Sequence, residues 1–223
     1  MKCLESQVEG LSDVLILAEK RRELVFSMVD DLKDFAMNTF GFTLQDAALE
    51  YLEPFHFDHG MELKVFGLYI WWSIFTVPVM NNRFTIFQLY YKKQRLRLKK
   101  RPYLRKVLAS WHTIRPGFYE IKECVAPRVF TIEDLYDDSI KEVSIYNQIY
   151  EPAAVGDIVT GIIFPLGDGT YTCLFDFLQL PREQVEHVLK EQLSNQVNHQ
   201  DLLKSYPAIL RQLMYEMMAR TKV

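Results

Sequence analysis

Pro116-Gly117-Phe118-Tyr119-Glu120-Ile121-Lys122-Glu123-Cys124-Val125 marks a change of period in the chain. Upstream of it, apolar residues recur at helical spacing. From it onward they fall into five short β-rich runs, Phe118 to Val125, Arg128 to Leu135, Glu142 to Ile149, Asp157 to Phe164 and Tyr171 to Phe177. Asp137-Asp138-Ser139 and Gly167-Asp168-Gly169 are tight-turn sequences between runs, and the spacing predicts sequential antiparallel hairpins. A sheet that small buries its apolar face best by curling on itself, so the expectation is a five-stranded antiparallel barrel or sheet of the SH3 or OB kind.

Working outward, residues 4 to 40 read as helix. Leu11, Val14, Leu15, Leu17 and Ala18, then Val25, Met28, Val29 and Leu32, recur near a 3.6-residue period. Gly41 reads as a stop. Thr43 with Asp46 three residues on resembles a capping box for a short helix through Ala47, Ala48 and Leu52, ended by Pro54. Trp71, Trp72, Phe75, Phe84, Phe87, Leu89, Tyr90 and Tyr91 supply core material to this helical half, which breaks at Pro78 and Asn81-Asn82. Beyond the strands, Pro181 sits where a first helical turn begins, and a last helix is expected after Pro207, with Ile209, Leu210, Leu213, Met214, Met217 and Met218 as a core stripe. The fold class is therefore α+β, with a helical region with a basic linker over 1–114, the small barrel over 115–180 and C-terminal helices over 181–223. Little Gly, Ser or Pro separates the first two, so they are expected to pack together.

Composition bounds the function. The chain has 223 residues, 49% hydrophobic and 25% charged, with a net charge of -3, which excludes wholesale disorder, fibrous repeats and a multi-span membrane protein. Between Lys64 and Arg83 lie 18 uncharged residues, but Pro78 and Asn81-Asn82 shorten the apolar part, so a buried helix is expected and no membrane association. Cys3, Cys124 and Cys173 form no readable pair, and no apolar signal run follows Met1, so a cytoplasmic setting is expected.

The order of features from Trp71 to Pro181 resembles a group of uncharacterised bacterial proteins that often carry a SEC-C zinc motif. The matching residues are Trp72-Ser73-Ile74-Phe75, Thr85-Ile86-Phe87, Trp111, Pro116 to Ile121, Val129 to Tyr136, and Val155-Gly156-Asp157-Ile158-Val159 leading to Pro165 through Gly169. The resemblance covers about half the chain and implies helices followed by a small barrel, with no established activity. The cysteine-rich zinc-binding tail is absent here, so that zinc site is not carried over, and no cofactor is expected.

The strongest anomaly is the run from Lys92 to Lys106. Lys92, Lys93, Arg95, Arg97, Lys99, Lys100, Arg101, Arg105 and Lys106 are nine cations with no acid among them. Taking these nine from the 26 Lys and Arg leaves 17 against 29 Asp and Glu, a net of -12, so an acidic body carries one concentrated basic segment. Three readings stand at this point. The segment is a solvated face compensated by the chain's own acids, Asp30, Asp31 and Asp34 or Glu133, Asp134, Asp137 and Asp138; or it meets an acidic protein; or it binds nucleic-acid phosphates, with Tyr90, Tyr91, Tyr103 and Trp111 stacking on bases. The leading expectation is an interaction or adaptor protein with a protein partner, and nucleic-acid binding is the alternative. A third reading makes His56, Asp58, His59 and Glu62 the ligands of a metalloenzyme, since these types bind Zn²⁺, Mn²⁺ or Fe²⁺. No catalytic residues are assigned, because Cys124, Cys173, His112, His187 and His199 have no readable partner pattern and no phosphate-loop or nucleophile-elbow motif occurs. The oligomeric state is open.

Overall fold

The computed structural model describes residues 2–79, 83–146, 150–174, 176–194 and 199–220, with 2–18, 199–200 and 220 as backbone only. The Asn81-Asn82 turn and the end of the third expected strand, 147–149, lie outside the described residues.

The helical half is simpler than its sequence suggests. Helix α1, Lys2–Leu52, runs through Gly41 without a stop, and Thr43 and Asp46 are exposed within it. One interior glycine costs a helix only about 1 kcal/mol relative to alanine. Against that, the buried stripe continues past it through Leu44, Ala48, Tyr51 and Leu52, so packing carries the helix across. Helix α2, His59–Thr76, is capped by Asp58, whose carboxylate accepts from the Met61 N–H at 3.0 Å. It buries Val65, Leu68, Ile70, Trp71 and Ile74. Among the described residues no helix is long and apolar enough to cross a membrane. Strands β1, Pro78–Val79, and β2, Phe84–Thr85, pair as a short ribbon, after which come α3, Ile86–Lys99, α4, Pro102–Ser110, and a single 3₁₀ turn, Trp111–Thr113.

The barrel follows. Strands β3, Pro116–Ala126, β4, Val129–Asp134, β5, Ile140–Ile145, β6, Ile158–Pro165, β7, Tyr171–Cys173, and β8, Leu178–Leu180, form one sheet in the order β3-β4-β5-β7-β6-β8. The β3 to β6 pairing, Pro116↔Ile162 through Glu120↔Ile158, closes β3, β4, β5, β7 and β6 into a five-stranded ring. The expected chain of sequential hairpins is corrected here. Barrel strands one to three pair in sequence, but the third and fifth, β5 and β7, are parallel, and the fourth, β6, returns to the first. This is the Greek-key order of an OB barrel, whereas an SH3 meander has no parallel pair. The fifth expected strand is split: β7 pairs with β6 from Ile163 to Pro165, and β8 pairs with the same strand from Ile158 to Thr160.

Strand β6 shows how the two halves fit. Its residues are buried on both faces, with Val159 and Ile163 in the barrel interior and Ile158, Ile162 and Phe164 in the larger core shared with the helices. Gly161 faces inward, where a Cβ would stand 2.7 Å from the Phe177 ring. Thr160 faces the helices and donates its one hydroxyl proton to the Gly117 carbonyl at 2.7 Å, so the Tyr206 hydroxyl, 2.8 Å away, donates to Thr160.

Helices α5, Arg182–Ser194, and α6, His199–Arg220, complete the fold. Pro207 lies inside α6 rather than before it. Proline has no N–H, so the carbonyl four residues back loses its helical donor. That carbonyl belongs to Leu203, and the Trp72 indole N–H donates to it at 2.8 Å. The Pro207 carbonyl in turn accepts from the Tyr51 hydroxyl at 2.7 Å. Two aromatic side chains from α1 and α2 thus satisfy the backbone around the break, which is why a proline survives mid-helix.

Candidate functional site

The basic run folds into a helix-turn-helix. Thr85 and Gln88 form a reciprocal capping box that starts α3, and Ile86, Phe87, Tyr90 and Leu98 bury its inner face. Lys92, Arg95 and Lys99 then fall on one outer stripe, spanning about 10 Å at 1.5 Å per residue. Arg101 precedes Pro102 and is held out of the helical region, with φ -134° and ψ 75°, so α3 ends and α4 begins in a new direction. Lys99, Lys100 and Arg101 occupy the corner. On α4, Leu104, Val107 and Leu108 are buried and Arg105 and Lys106 point out.

All nine cations are exposed. Among the described residues Arg97 alone is in an ion pair, with Asp31 of α1. Lys92 and Lys93 rest their ammonium groups on the Phe84 and Phe35 rings, at 3.3 and 5.0 Å from the ring centres, contacts that leave the charge uncompensated. The internal compensation expected from the acids therefore reaches one residue of nine. The remaining acids are engaged elsewhere or stand apart: Glu133 pairs with Lys122, and Asp134 and Asp137 pair with Arg115 and Lys141. The surface also gains a cation from outside the run. Arg21 of α1 is exposed and lies over the Tyr103 ring at 5.2 Å, a neighbour some eighty residues away in sequence.

The expected stacking residues are not available. Tyr90 is buried, with its hydroxyl on the Met28 carbonyl, and Trp111 is fully buried, with its N–H on the Pro165 carbonyl. Tyr103 donates to the Leu166 carbonyl beneath the Arg21 guanidinium, and Tyr91 packs edge-on against His112. Their burial raises the phenol of Tyr103 above its ordinary range and pushes Tyr90 further in the same direction. Tyr90 ties α3 to α1, and Tyr103 and Trp111 tie α4 and the turn after it to the Pro165 and Leu166 carbonyls.

The barrel's own open side has a different chemistry. The β4 and β5 side chains that point away from the interior are Val129, Thr131, Glu133, Ile140, Glu142 and Ser144, with no aromatic and no cation among them. Next to them, Lys122 bridges Glu120 and Glu133. The β6–β7 loop is packed down, since Gly167, at φ 86°, lies where a Cβ would meet Val107 at 2.5 Å, and Arg22 reaches Asp168 at 3.9 Å.

Sequence reasoning missed a cleft of about 630 Å³ at the barrel mouth, lined by His112, Arg115, Tyr119, Asp134, Asp137, Lys141 and Tyr171 among others. Buried Asp134 accepts from Arg115 at 3.3 Å, Lys141 at 2.9 Å and the Tyr136 N–H at 3.1 Å. Burial raises the Asp137 carboxyl, but the Ser139 donors, Lys141 and Arg115 outweigh it and hold the group below its ordinary range. Burial lowers the His112 imidazole. The two cations and two carboxylates of the cleft answer one another, so it presents no unmatched charge. The turn Asp137-Asp138-Ser139 was legible, but its closure on Arg115 depends on strand pairing.

The metal cluster does not assemble. Among the described residues no three of His, Cys, Asp and Glu are placed to hold an ion. Asp58 is committed to capping α2, His59 is that helix's first residue, and His56 and Glu62 border a separate cleft of about 310 Å³ with Phe55 and Phe57. Compared with protein-family models, curated proteins and solved structures, the chain matches none, so the site is read from its own geometry.

Proposed function

We propose that this protein is an interaction module that binds nucleic acid by its phosphate backbone, through Lys92, Lys93, Arg95, Lys99, Lys100, Arg101, Arg105 and Lys106 of the α3–α4 turn, with Arg21 beside them. The observation that carries the reading is that these side chains are exposed and, unlike Arg97, have no carboxylate in ion-pair reach among the described residues. Eight uncompensated cations within one short segment repel one another, and a row of phosphates relieves that repulsion while releasing its own counterions. The reading includes a reducing, cytoplasmic setting, supported by a free exposed thiol at Cys124.

The test is fluorescence anisotropy of labelled duplex and single-stranded DNA and RNA against the full chain at about 50 and 200 mM salt. Binding is expected at the lower salt, weakening steeply at the higher, and lost when Lys99, Lys100 and Arg101 are all changed to Gln. No binding at low salt would overturn the proposal and direct pull-downs toward an acidic protein.

A further inference from the structure

We infer that the nucleic acid taken by this surface is a double helix, held along its phosphates without base stacking. The inference rests on the reading just given and narrows it to one class of partner.

Proteins that bind single strands combine a basic groove with aromatic faces on which bases stack, and OB barrels offer such faces on their second and third strands and adjoining loops. Here both sources are closed. Of the four rings expected to stack, Tyr90 and Trp111 are buried, Tyr103 is hydrogen-bonded beneath Arg21 and Tyr91 packs edge-on against His112, while the Phe84 and Phe35 rings are covered by the Lys92 and Lys93 ammonium groups. The second and third barrel strands present Thr131, Glu133, Glu142 and Ser144 on their outer side, none of them aromatic or cationic, and Glu142, which is exposed, disfavours a phosphate chain. The β6–β7 loop, the second place where an OB barrel receives a strand, is occupied by α1 and α4 through Arg22 and Val107. Among the described residues, a single strand reaching the α3–α4 turn therefore finds cations whose neighbouring rings are taken up, and the exposed rings of Phe42 and Tyr146 belong to α1 and the end of β5, outside the basic run.

What remains suits a regular array of charge. Lys92, Arg95 and Lys99 are fixed on a helix whose inner face is buried, and Lys100, Arg101, Arg105 and Lys106 continue the array around the corner into α4. A duplex presents one charge per about 1.7 Å of axis, twice the density of one of its strands, and its phosphates stay ordered without being gripped. A rigid cationic ridge gains most from that target. Duplex DNA and duplex RNA share this chemistry, and the arms of the test separate them.

The experiment is a titration of the full chain at about 50 mM salt with four 20-nucleotide probes of one sequence, namely duplex DNA, duplex RNA and the single strand of each, with polyglutamate as a fifth polyanion. The expected result is that one or both duplexes bind at least about tenfold tighter than their single strands. Changing Lys92, Arg95 and Lys99 together to Gln should then flatten the slope of log K against log salt by about 2.7 for duplex DNA, with an unchanged circular dichroism spectrum. Single strands binding as tightly as duplexes would overturn this inference and leave nucleic-acid binding standing. Polyglutamate binding while no nucleic acid binds, or no polyanion binding at all, would overturn the underlying reading.

Discussion

Two charged surfaces of this molecule invite comparison, the α3–α4 turn and the open side of the barrel. Around the barrel, most charges come in answered sets: Lys122 with Glu120 and Glu133, Arg182 of α5 with Glu120 and Glu186, Arg115 and Lys141 with Asp134 and Asp137. On the turn, one cation of nine is answered. The barrel's charges fasten strands and loops to each other, whereas among the described residues the turn has one ion pair to the rest of the chain, Arg97 with Asp31 of α1. Number of charges is a poor guide to function; whether their partners lie within the fold is a better one.

The sharpest way to break this contrast is to reverse the turn. Changing Lys92, Arg95 and Lys99 to Glu should lower duplex affinity by more than about a hundredfold at low salt with little change in Tm, while Lys122→Gln on the barrel should leave affinity within about twofold. Binding titrations and thermal melts of both variants read the two halves of the contrast.

Next in size is the buried carboxylate of the barrel. Asp134→Ala removes the buried one of the two carboxylates that Arg115 and Lys141, both mostly buried, share, leaving them only the more exposed Asp137, and should cost about 3 kcal/mol in urea unfolding. A loss under about 1 kcal/mol would show that this cluster is as dispensable as a surface pair.

Single hydrogen bonds made by aromatic side chains, one between two helices and one between helix and barrel, come third. Trp72→Phe leaves the Leu203 carbonyl without a donor beside Pro207, and Tyr206→Phe removes the donor to Thr160; each should cost about 1 to 2 kcal/mol. Neither should alter nucleic-acid affinity, since neither touches the turn.

The smallest effect is expected at Asp168. Burial raises its carboxyl, but the Thr170 donors, with Arg22, hold it below the ordinary aspartate range. A depressed carboxyl contributes stability above its unfolded pKa and loses it as pH falls through the lower folded value, so the contribution is present at pH 7 and fades below about pH 4. The Arg22 pair is more than a third exposed on each side and screened by water, so Asp168→Asn should cost no more than about 0.5 kcal/mol at pH 7, measured by urea unfolding, and nothing near pH 2.

Much of the architecture was legible because it follows from local periodicity. The switch at Pro116-Gly117 placed the barrel, and strand lengths and turn residues placed four of its five strands within a few residues. What misled was punctuation read without packing. Gly41 looked like a stop and Pro207 like a start, yet burial of Leu44 and Ala48 in one case and donation by Trp72 in the other carried both helices through. Likewise Trp111 and Tyr90 looked like stacking platforms because they flank the basic run, and only their place in the core showed otherwise. The His56 to Glu62 cluster failed for a related reason, since proximity along a chain does not make side chains converge and Asp58 had a capping task of its own.

The sequence by itself determined the α+β class, the position of the barrel and the identity of the nine cations, because helix and strand periods and charge are properties of neighbouring residues. Tertiary structure alone decided that β6 returns to β3 and that β5 runs parallel to β7, because pairing between strands distant in sequence is set by which apolar faces can be buried together. It also decided that Arg97 finds Asp31 while, among the described residues, its neighbours find no carboxylate, and that Tyr90 and Trp111 are taken up by the core. An ion pair or a buried ring exists only where two distant segments are brought within a few ångströms, and no local pattern carries that distance.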